Sequence, residues 1–174
     1  MKWFFKCLKQ YADFGGRARR KEYWWFTLIN AIIMLVLMIG WLAPLFKMAI
    51  TAEGGDEFDE RNFIITMFSS HYLYIYLVYY LIILVPSLAV TVRRLHDIGK
   101  SGFWIFLYIG GSLLSSVAGM FENTLVTVAL PIYFIALAIL IVFLVWMFTN
   151  SQPGENQWGP NPKEELPAET EQMD

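Results

Sequence analysis

Residues 125–148 read LVTVALPIYFIALAILIVFLVWMF, and this run decides the fold because it contains no charged residue. A helix needs roughly 20 apolar residues to cross a hydrocarbon core about 30 Å thick. Three further charge-free windows of at least that length precede it, at residues 23–46, 62–92 and 101–121. The sequence therefore predicts an all-α polytopic integral membrane protein. Its four transmembrane helices are predicted roughly at residues 24–46, 72–92, 102–121 and 125–148.

The composition of the 174-residue chain agrees with this class. Hydrophobic residues make up 57% and charged residues 16%, whereas soluble domains average about 45–50% apolar and about 25% charged residues. Disordered, collagen-like and ordinary soluble proteins are therefore excluded. The single Cys7 cannot form an intrachain disulfide, and with only two histidines it makes a structural zinc site improbable. We expect no metal, no cofactor and no nucleic-acid partner.

The distribution of lysine and arginine predicts the orientation. Seven of these residues precede the first window, three lie in the loop at 93–100 and one lies in the tail, whereas only Lys47 and Arg61 lie in the first loop. With the N-terminus inside, eleven are cytoplasmic and two external, as the positive-inside rule requires. Both termini are thus predicted to be cytoplasmic. Residues 1–162 are predicted to form one membrane domain, and the acidic segment 163–174 a disordered tail.

The first ten residues predict an amphipathic helix at the membrane interface. At about 100° per residue one arc is apolar and the opposite arc is basic. The apolar arc contains Trp3, Phe4, Cys7, Leu8 and Tyr11, and the basic arc contains Lys2, Lys6 and Lys9. This pattern favours a helix whose lysines reach anionic headgroups. A helix that binds a partner protein is the alternative.

Three polar motifs lie on the predicted cytoplasmic side. They read FGGRARRKEYW at residues 14–24, RRLHDIGKSGFW at 93–104 and PGENQWGPNP at 153–162. Because they share one side of the membrane, we expect them to form one arginine-rich polar cap. Their glycines and aromatic residues are predicted to pack the motifs together. The packing residues are Gly16, Trp24, Gly102, Trp104, Asn156, Trp158 and Gly159.

The charged residues of the first two motifs make a candidate binding site. Guanidinium groups bind phosphate through two parallel hydrogen bonds, and a helix N-terminus attracts anions. The same arginines are also the natural partners of Glu22 and Asp97, so an ion-pair network and a headgroup or phosphate site both stay open. The residues proposed for these roles are Arg17, Arg20, Glu22, Arg93, Arg94, His96, Asp97, Lys100 and Ser101. Ser101 is also the predicted N-cap of the third span.

A stripe of small residues runs along the third predicted span. Gly111, Ser115 and Gly119 lie four residues apart, which allows another helix to approach closely. This face is the predicted contact of a homo-oligomer. The short loop around Glu122 and Asn123 separately predicts an antiparallel hairpin between the third and fourth spans.

Together the three motifs resemble the bacterial inner-membrane family known as domain of unknown function 805. Its patterns F-x-G-R-x-x-R-K-E-Y-W, R-R-L-H-D-x-G-x-S-G-x-W and G-x-N-x-x-G-x-x-P match residues 14–24, 93–104 and 154–162. Phe103 stands where tryptophan is common in this family and Trp158 where tyrosine is common, and both keep an aromatic ring. The resemblance implies a small multi-pass helical protein of the bacterial inner (plasma) membrane. It implies no reaction, substrate or cofactor.

Three functions are compatible with these features. The first is a non-enzymatic membrane protein whose cap binds anionic lipid headgroups or a phosphate-bearing ligand, or docks a partner. The second is a small channel or transporter for neutral solutes, because no ionisable residue lies mid-span. The third is a membrane enzyme that uses His96 and Asp97 as an acid–base pair. No nucleophile or metal-ligand set accompanies that pair, so we expect no catalytic residue, and anionic membrane lipids are the predicted partners.

Overall fold

The computed structural model describes residues 2–52, 60–120 and 126–163. These residues form six helices: α1 (Lys2–Lys9), α2 (Arg20–Ala52), α3 (Glu60–Ser69), α4 (His71–Asp97), α5 (Trp104–Met120) and α6 (Val126–Phe148). Within the described ranges the only β pairing is one isolated bridge between Asn156 and Gly159. The prediction of an all-α fold is therefore confirmed. The predicted tail, except Lys163, lies outside the described residues.

Three of the helices are long and apolar enough to cross a membrane. The qualifying segments of α2, α4 and α6 are residues 20–50, 71–97 and 129–148. Helix α5 is equally apolar but has only 17 residues, which is about 25 Å at 1.5 Å per residue. It begins at Trp104 rather than at residue 102, because Gly102 and Phe103 belong to the preceding turn. The helix therefore begins two residues after the predicted start of the third span.

The long helices α2 and α4 run antiparallel and in close contact. A Cβ atom at Gly40 of α2 would lie 2.6 Å from the ring of Tyr72 in α4, so only glycine permits this approach. Helix α3 precedes α4 as a separate element, because Ser70 has an extended backbone between them. Trp41 donates its indole N–H to the carbonyl of Met67 at 3.0 Å and so holds α3 against α2.

Helices α5 and α6 form the predicted antiparallel hairpin. A Cβ atom at Gly111 would lie 3.2 Å from Ile139, and one at Gly119 would lie 3.2 Å from the hydroxyl of Tyr133. The stripe of small residues is therefore turned toward α6 of the same chain, where dispersion contacts need a close approach. A homo-oligomer through this face stays a prediction.

Helix α1 is present where it was predicted, but its apolar face is covered by the protein itself. Phe4, Cys7 and Leu8 pack on a cluster that includes Phe26 of α2 and Val90 of α4. The rings of Phe4 and Phe26 stack with their centroids 5.5 Å apart. Part of the apolar arc is therefore buried within the same chain, in a groove formed by α2 and α4.

A proline in α4 explains one long-range contact of the N-terminal segment. Pro86 has no N–H group, so the carbonyl of Ile82, four residues earlier, has no helical hydrogen-bond partner. The hydroxyl of Tyr11 donates to this carbonyl at 2.5 Å. The segment after α1 thus supplies the hydrogen bond that the helix lacks.

The four longest helices meet at one end of the molecule. Leu95 of α4, Ile105 of α5 and Met147 of α6 form a buried cluster, against which Trp24 of α2 packs. We call the adjoining polar region, residues 14–24, 93–104 and 149–162, the cap. The cap contains all three sequence motifs.

Candidate functional site

The cap is held together by two buried carboxylates, each of which pairs with two cations. Glu22 accepts hydrogen bonds from Nη1 of Arg93 and from Nζ of Lys6, both at 2.9 Å. Asp97 accepts a hydrogen bond from Nε of Arg17 at 3.2 Å and another from Nη1 of Arg94. Since an unpaired buried charge is costly, these pairs fix how the first and second motifs lie on each other.

Arg17 and Arg94 also bind the C-terminal loop. Nη1 of Arg17 donates to the carbonyl of Gly154 at 2.7 Å, and Nη2 donates to that of Gln152 at 2.5 Å. Nη2 of Arg94 donates to the carbonyl of Thr149. The two arginines thus hold the C-terminal loop through its backbone carbonyls. A guanidinium can do this because its five N–H donors point in several directions. Each of these two arginines is buried and shared between a carboxylate and the loop.

His96 and Asp97 do not act on each other. Nδ1 of His96 lies 3.2 Å from the carbonyl of Gly16, so this nitrogen carries the proton and Nε2 is the acceptor. The imidazole stacks on the ring of Trp158, with centroids 4.5 Å apart and planes 8° apart. The carboxylate of Asp97 points instead to Arg17 and Arg94. The geometry therefore gives no support to an acid–base pair.

The other site residues of the second motif lie away from the ion pairs. The ammonium of Lys100 lies 4.5 Å from the ring centroid of Trp146. The hydroxyl of Ser101 accepts a hydrogen bond from the N–H of Phe103 at 3.3 Å, at the turn that leads into α5. In the first motif, Arg20 donates to the carbonyl of Phe148 at 3.1 Å. These residues anchor helix ends, whereas Arg17, Glu22, Arg93, Arg94 and Asp97 form the network.

The predicted packing residues act at the junctions of the cap. Trp24 stacks on Phe148 with centroids 4.4 Å apart, and Trp104 meets Trp146 edge to face at 5.4 Å. A Cβ atom at Gly102 would lie 2.7 Å from Val92, and so the second motif passes close to α4.

The remaining packing residues shape the turns. Gly16 and Gly159 have φ values of 70° and 118°, which side chains with a Cβ rarely adopt. Asn156 donates to the carbonyl of His96 at 3.0 Å and closes the C-terminal loop over the second motif.

Three residues of the N-terminal segment join the network although sequence reasoning did not assign them to it. Lys6 pairs with Glu22, the thiol of Cys7 lies 3.8 Å from the same carboxylate, and the side-chain oxygen of Gln10 accepts from Nη1 of Arg93 at 2.6 Å. Burial raises the pKa of the Cys7 thiol to about 12, and the neighbouring Glu22 adds to this effect. Helical spacing put Lys6 on the basic arc, but only its docked position gives it a carboxylate.

A polar cavity of about 360 Å³ opens beside this network. Its wall is formed by α1, by the turn at the first motif, by α4 and by the C-terminal loop. The lining residues are Lys6, Gln10, Asp13, Gly15, Gly16, Arg17, Arg93, Trp158, Pro160 and Pro162. Arg93 is only 1% exposed, and its Nε and Nη2 have no hydrogen-bond partner within the described parts of the chain. Buried N–H groups are rarely left unpaired in proteins.

Comparison with known proteins identifies the chain's family. Residues 11–160 match the model of the family described as protein of unknown function DUF805. The chain belongs to the DUF805 family. The matched region contains the first two motifs of the cap and all but the last two residues of the third, whereas α1 and its Lys6 precede it.

Two relatives from Escherichia coli strain K12 are similar to the chain over almost their whole length. Inner membrane protein YhaH is 34% identical over 168 residues, which is 94% of this chain and 98% of YhaH. Inner membrane protein YhaI is 31% identical over 163 residues, which is 94% of this chain and 97% of YhaI. No solved structure matches the chain. These comparisons establish that the chain belongs to a family of inner membrane proteins that is described as of unknown function.

Proposed function

We propose that this chain is a four-span protein of the bacterial inner membrane whose cap lies in the cytoplasm and binds a phosphate-bearing anion. The observation that carries the proposal is Arg93, with two buried N–H groups unpaired beside an open polar cavity. Phosphate oxygens, like carboxylate oxygens, are acceptors that a guanidinium binds through two parallel hydrogen bonds. The ligand is either a lipid headgroup or a soluble phosphate compound, which share this chemistry.

The charge balance of the cap supports an anionic ligand. Among the described residues three arginines are buried, Arg17, Arg93 and Arg94, against two buried carboxylates, Glu22 and Asp97. The buried groups therefore carry one net positive charge, although each arginine contacts a carboxylate, and Lys6 at the cavity adds another positive charge. An anion in the cavity would neutralise this excess in a region where water screens charge poorly.

One acidic residue of the cavity opposes an anion. Asp13 lines the cavity, but its side chain accepts hydrogen bonds from the N–H of Gly15 at 3.0 Å and from Gln10 at 3.4 Å. Because Asp13 is exposed to water, its repulsion is screened more than the attraction of the buried arginine. The cavity therefore still favours an anion.

A binding experiment with matched lysine variants tests the anion site. Purified protein in a neutral detergent is titrated with inorganic phosphate and, separately, with vesicles of phosphatidylcholine with and without phosphatidylglycerol. Lys6→Gln removes a cation from the cavity, whereas Lys9→Gln removes one from the same helix outside it. We expect roughly tenfold weaker binding for K6Q, as for a lost charge-assisted hydrogen bond, and less than twofold for K9Q.

The two arms of this experiment distinguish the ligand sources. Saturable binding of inorganic phosphate indicates a soluble ligand, and binding only to vesicles that contain phosphatidylglycerol indicates a headgroup. Equal losses for K6Q and K9Q in both arms would mean that general surface charge, not the cavity, attracts anions, and the proposal would fail. A cap that only docks a partner protein would bind neither probe.

The orientation is supported by the distribution of Lys and Arg and is tested by cysteine labelling. In a Cys7→Ser background, Glu155→Cys is expected to react with a membrane-impermeant maleimide only in broken cells. Lys47→Cys is expected to react in intact spheroplasts. The reverse pattern would place the cap outside the cell and overturn the topology.

The alternative of a small channel for neutral solutes stays a prediction with weaker support. A cavity of about 370 Å³ lies between α2 and α4 and is lined in part by Asn30, Ser87 and Thr91. Their polar groups bond within the chain, since Asn30 accepts from Tyr79 at 2.6 Å and Thr91 donates to the carbonyl of Ser87 at 2.7 Å. Solute flux through proteoliposomes that Asn30→Leu abolishes would favour this function instead.

A further inference from the structure

A second cavity, of about 530 Å³, opens beside the cap, and its wall is mostly apolar. It lies between α4, the start of α5 and the C-terminal loop. Its apolar lining includes Leu88, Val92, Phe103, Phe106, Ile109 and Trp158. Phe103 is 79% exposed and Phe106 is 64% exposed. We call this cavity the apolar groove.

The apolar groove adjoins the polar cavity. Trp158 lines both, and the consecutive residues Phe14 and Gly15 line the groove and the polar cavity respectively. The stack of Trp158 on His96 holds this shared wall in place. A ligand that bridges the two spaces therefore needs one polar and one apolar part.

The direction of the groove also fits an amphiphile. His96 lines it at the cap, and Leu88 lines it two helical turns away along α4, about 12 Å at 1.5 Å per residue. The groove thus leads from the cap toward the apolar body of the helices. Two polar groups interrupt the otherwise apolar wall at the end near the cap. They are the hydroxyl of Ser101 and the acceptor Nε2 of His96.

We propose that the two cavities together hold one anionic glycerophospholipid, with its phosphate beside Arg93 and an acyl chain in the apolar groove. This inference rests on the proposed function and names the lipid headgroup as the source of the phosphate. The charge of the polar cavity selects an anion, and the adjoining apolar wall selects a ligand with a hydrocarbon chain. Both cavities have volumes in the range of about 300–1,000 Å³ that is usual for small-molecule sites.

Native mass spectrometry of the full chain in neutral detergent tests the inference. The protein is titrated with dioleoyl phosphatidylglycerol, with dioleoyl phosphatidylcholine and with glycerol 1-phosphate, which has no chain. The double variant Phe103→Ser/Phe106→Ser removes the two exposed rings of the groove, which we call the apolar lip. Leu113→Ser is the control, because it changes an exposed apolar residue of α5 outside the groove. We expect the double variant to retain at least fivefold less phosphatidylglycerol, and L113S to match the unmodified chain.

The outcomes separate this inference from the proposed function. If glycerol 1-phosphate binds as tightly as phosphatidylglycerol and the lip variants change nothing, the inference is overturned but the anion site stands. If both lipids are retained equally and K6Q has no effect, the groove binds lipid without regard to the net charge of the headgroup, and both proposals fail. A preference for phosphatidylglycerol that is lost in K6Q and in the lip variants supports both.

Discussion

Arg93 of α4 donates from Nη1 to Glu22 of α2 at 2.9 Å, although the two residues are 71 positions apart in the chain. Both side chains are at most 2% exposed. The pair ties the first motif to the second at the point where α1 also docks. Arg93 also lines the polar cavity.

Replacing Glu22 by Gln is expected to destabilise the fold strongly. The variant keeps the shape of the side chain but leaves Arg93 without its carboxylate partner in a buried site, which typically costs about 3–5 kcal/mol. The measurement is the unfolding midpoint in detergent under increasing denaturant. Asp13→Asn, an exposed carboxylate of the same region, serves as control and should change the midpoint little. Similar midpoints for both variants would contradict a structural role for the Glu22 pair.

Replacing Asp97 by Asn is expected to release the C-terminal loop. Arg17 and Arg94 then lose their shared carboxylate and no longer hold the fixed positions from which they donate to the loop carbonyls. Limited proteolysis within residues 150–163 should become several-fold faster than in the unmodified chain. Glu155→Gln removes an exposed charge of the loop itself and should leave the cleavage rate unchanged. Unaltered cleavage in D97N would show that the loop is held by its other contacts.

Tyr11→Phe is expected to cost about 1 kcal/mol of stability, because the carbonyl of Ile82 loses its donor. The partner variant Pro86→Ala restores an N–H that can pair with that carbonyl within the helix. In a double-mutant cycle the effect of Y11F should therefore largely disappear in the P86A background. An undiminished effect would mean that the ring of Tyr11, not the hydroxyl bond to Ile82, is what matters.

Cys7 is expected to be unreactive in the folded protein. Its side chain is buried, and burial beside Glu22 raises the pKa of the thiol to about 12, so at pH 8 almost no thiolate is present to attack a maleimide. Labelling should be slow at pH 8 and become fast after unfolding in SDS. Phe4→Ala, which loosens the packing of α1, should increase the native labelling rate. Rapid labelling of the unmodified native chain would show that α1 is not docked as described.

Local sequence patterns predicted the helices well. A charge-free run of about 20 residues needs only its own composition to favour the membrane, so α2, α4 and α6 appear where they were expected. The hairpin of α5 and α6 followed from its short connection. Helix α5 begins two residues after the predicted start of the third span, because the turn at Gly102 and Phe103 is apolar and uncharged but is not helical.

The sequence by itself determined which segments are apolar, since hydrophobic transfer depends on each segment alone. The order of these segments also determined that the three polar motifs adjoin spans at the same end. Only the tertiary structure decided that Glu22 pairs with Arg93 and Lys6, and that Asp97 pairs with Arg17 and Arg94. The physical reason is that an ion pair depends on how each helix is rotated about its axis and how deeply it is set against its neighbours. The rotation and depth of each helix are set by the packing of side chains that are distant in the chain, and local sequence periodicity does not predict that packing.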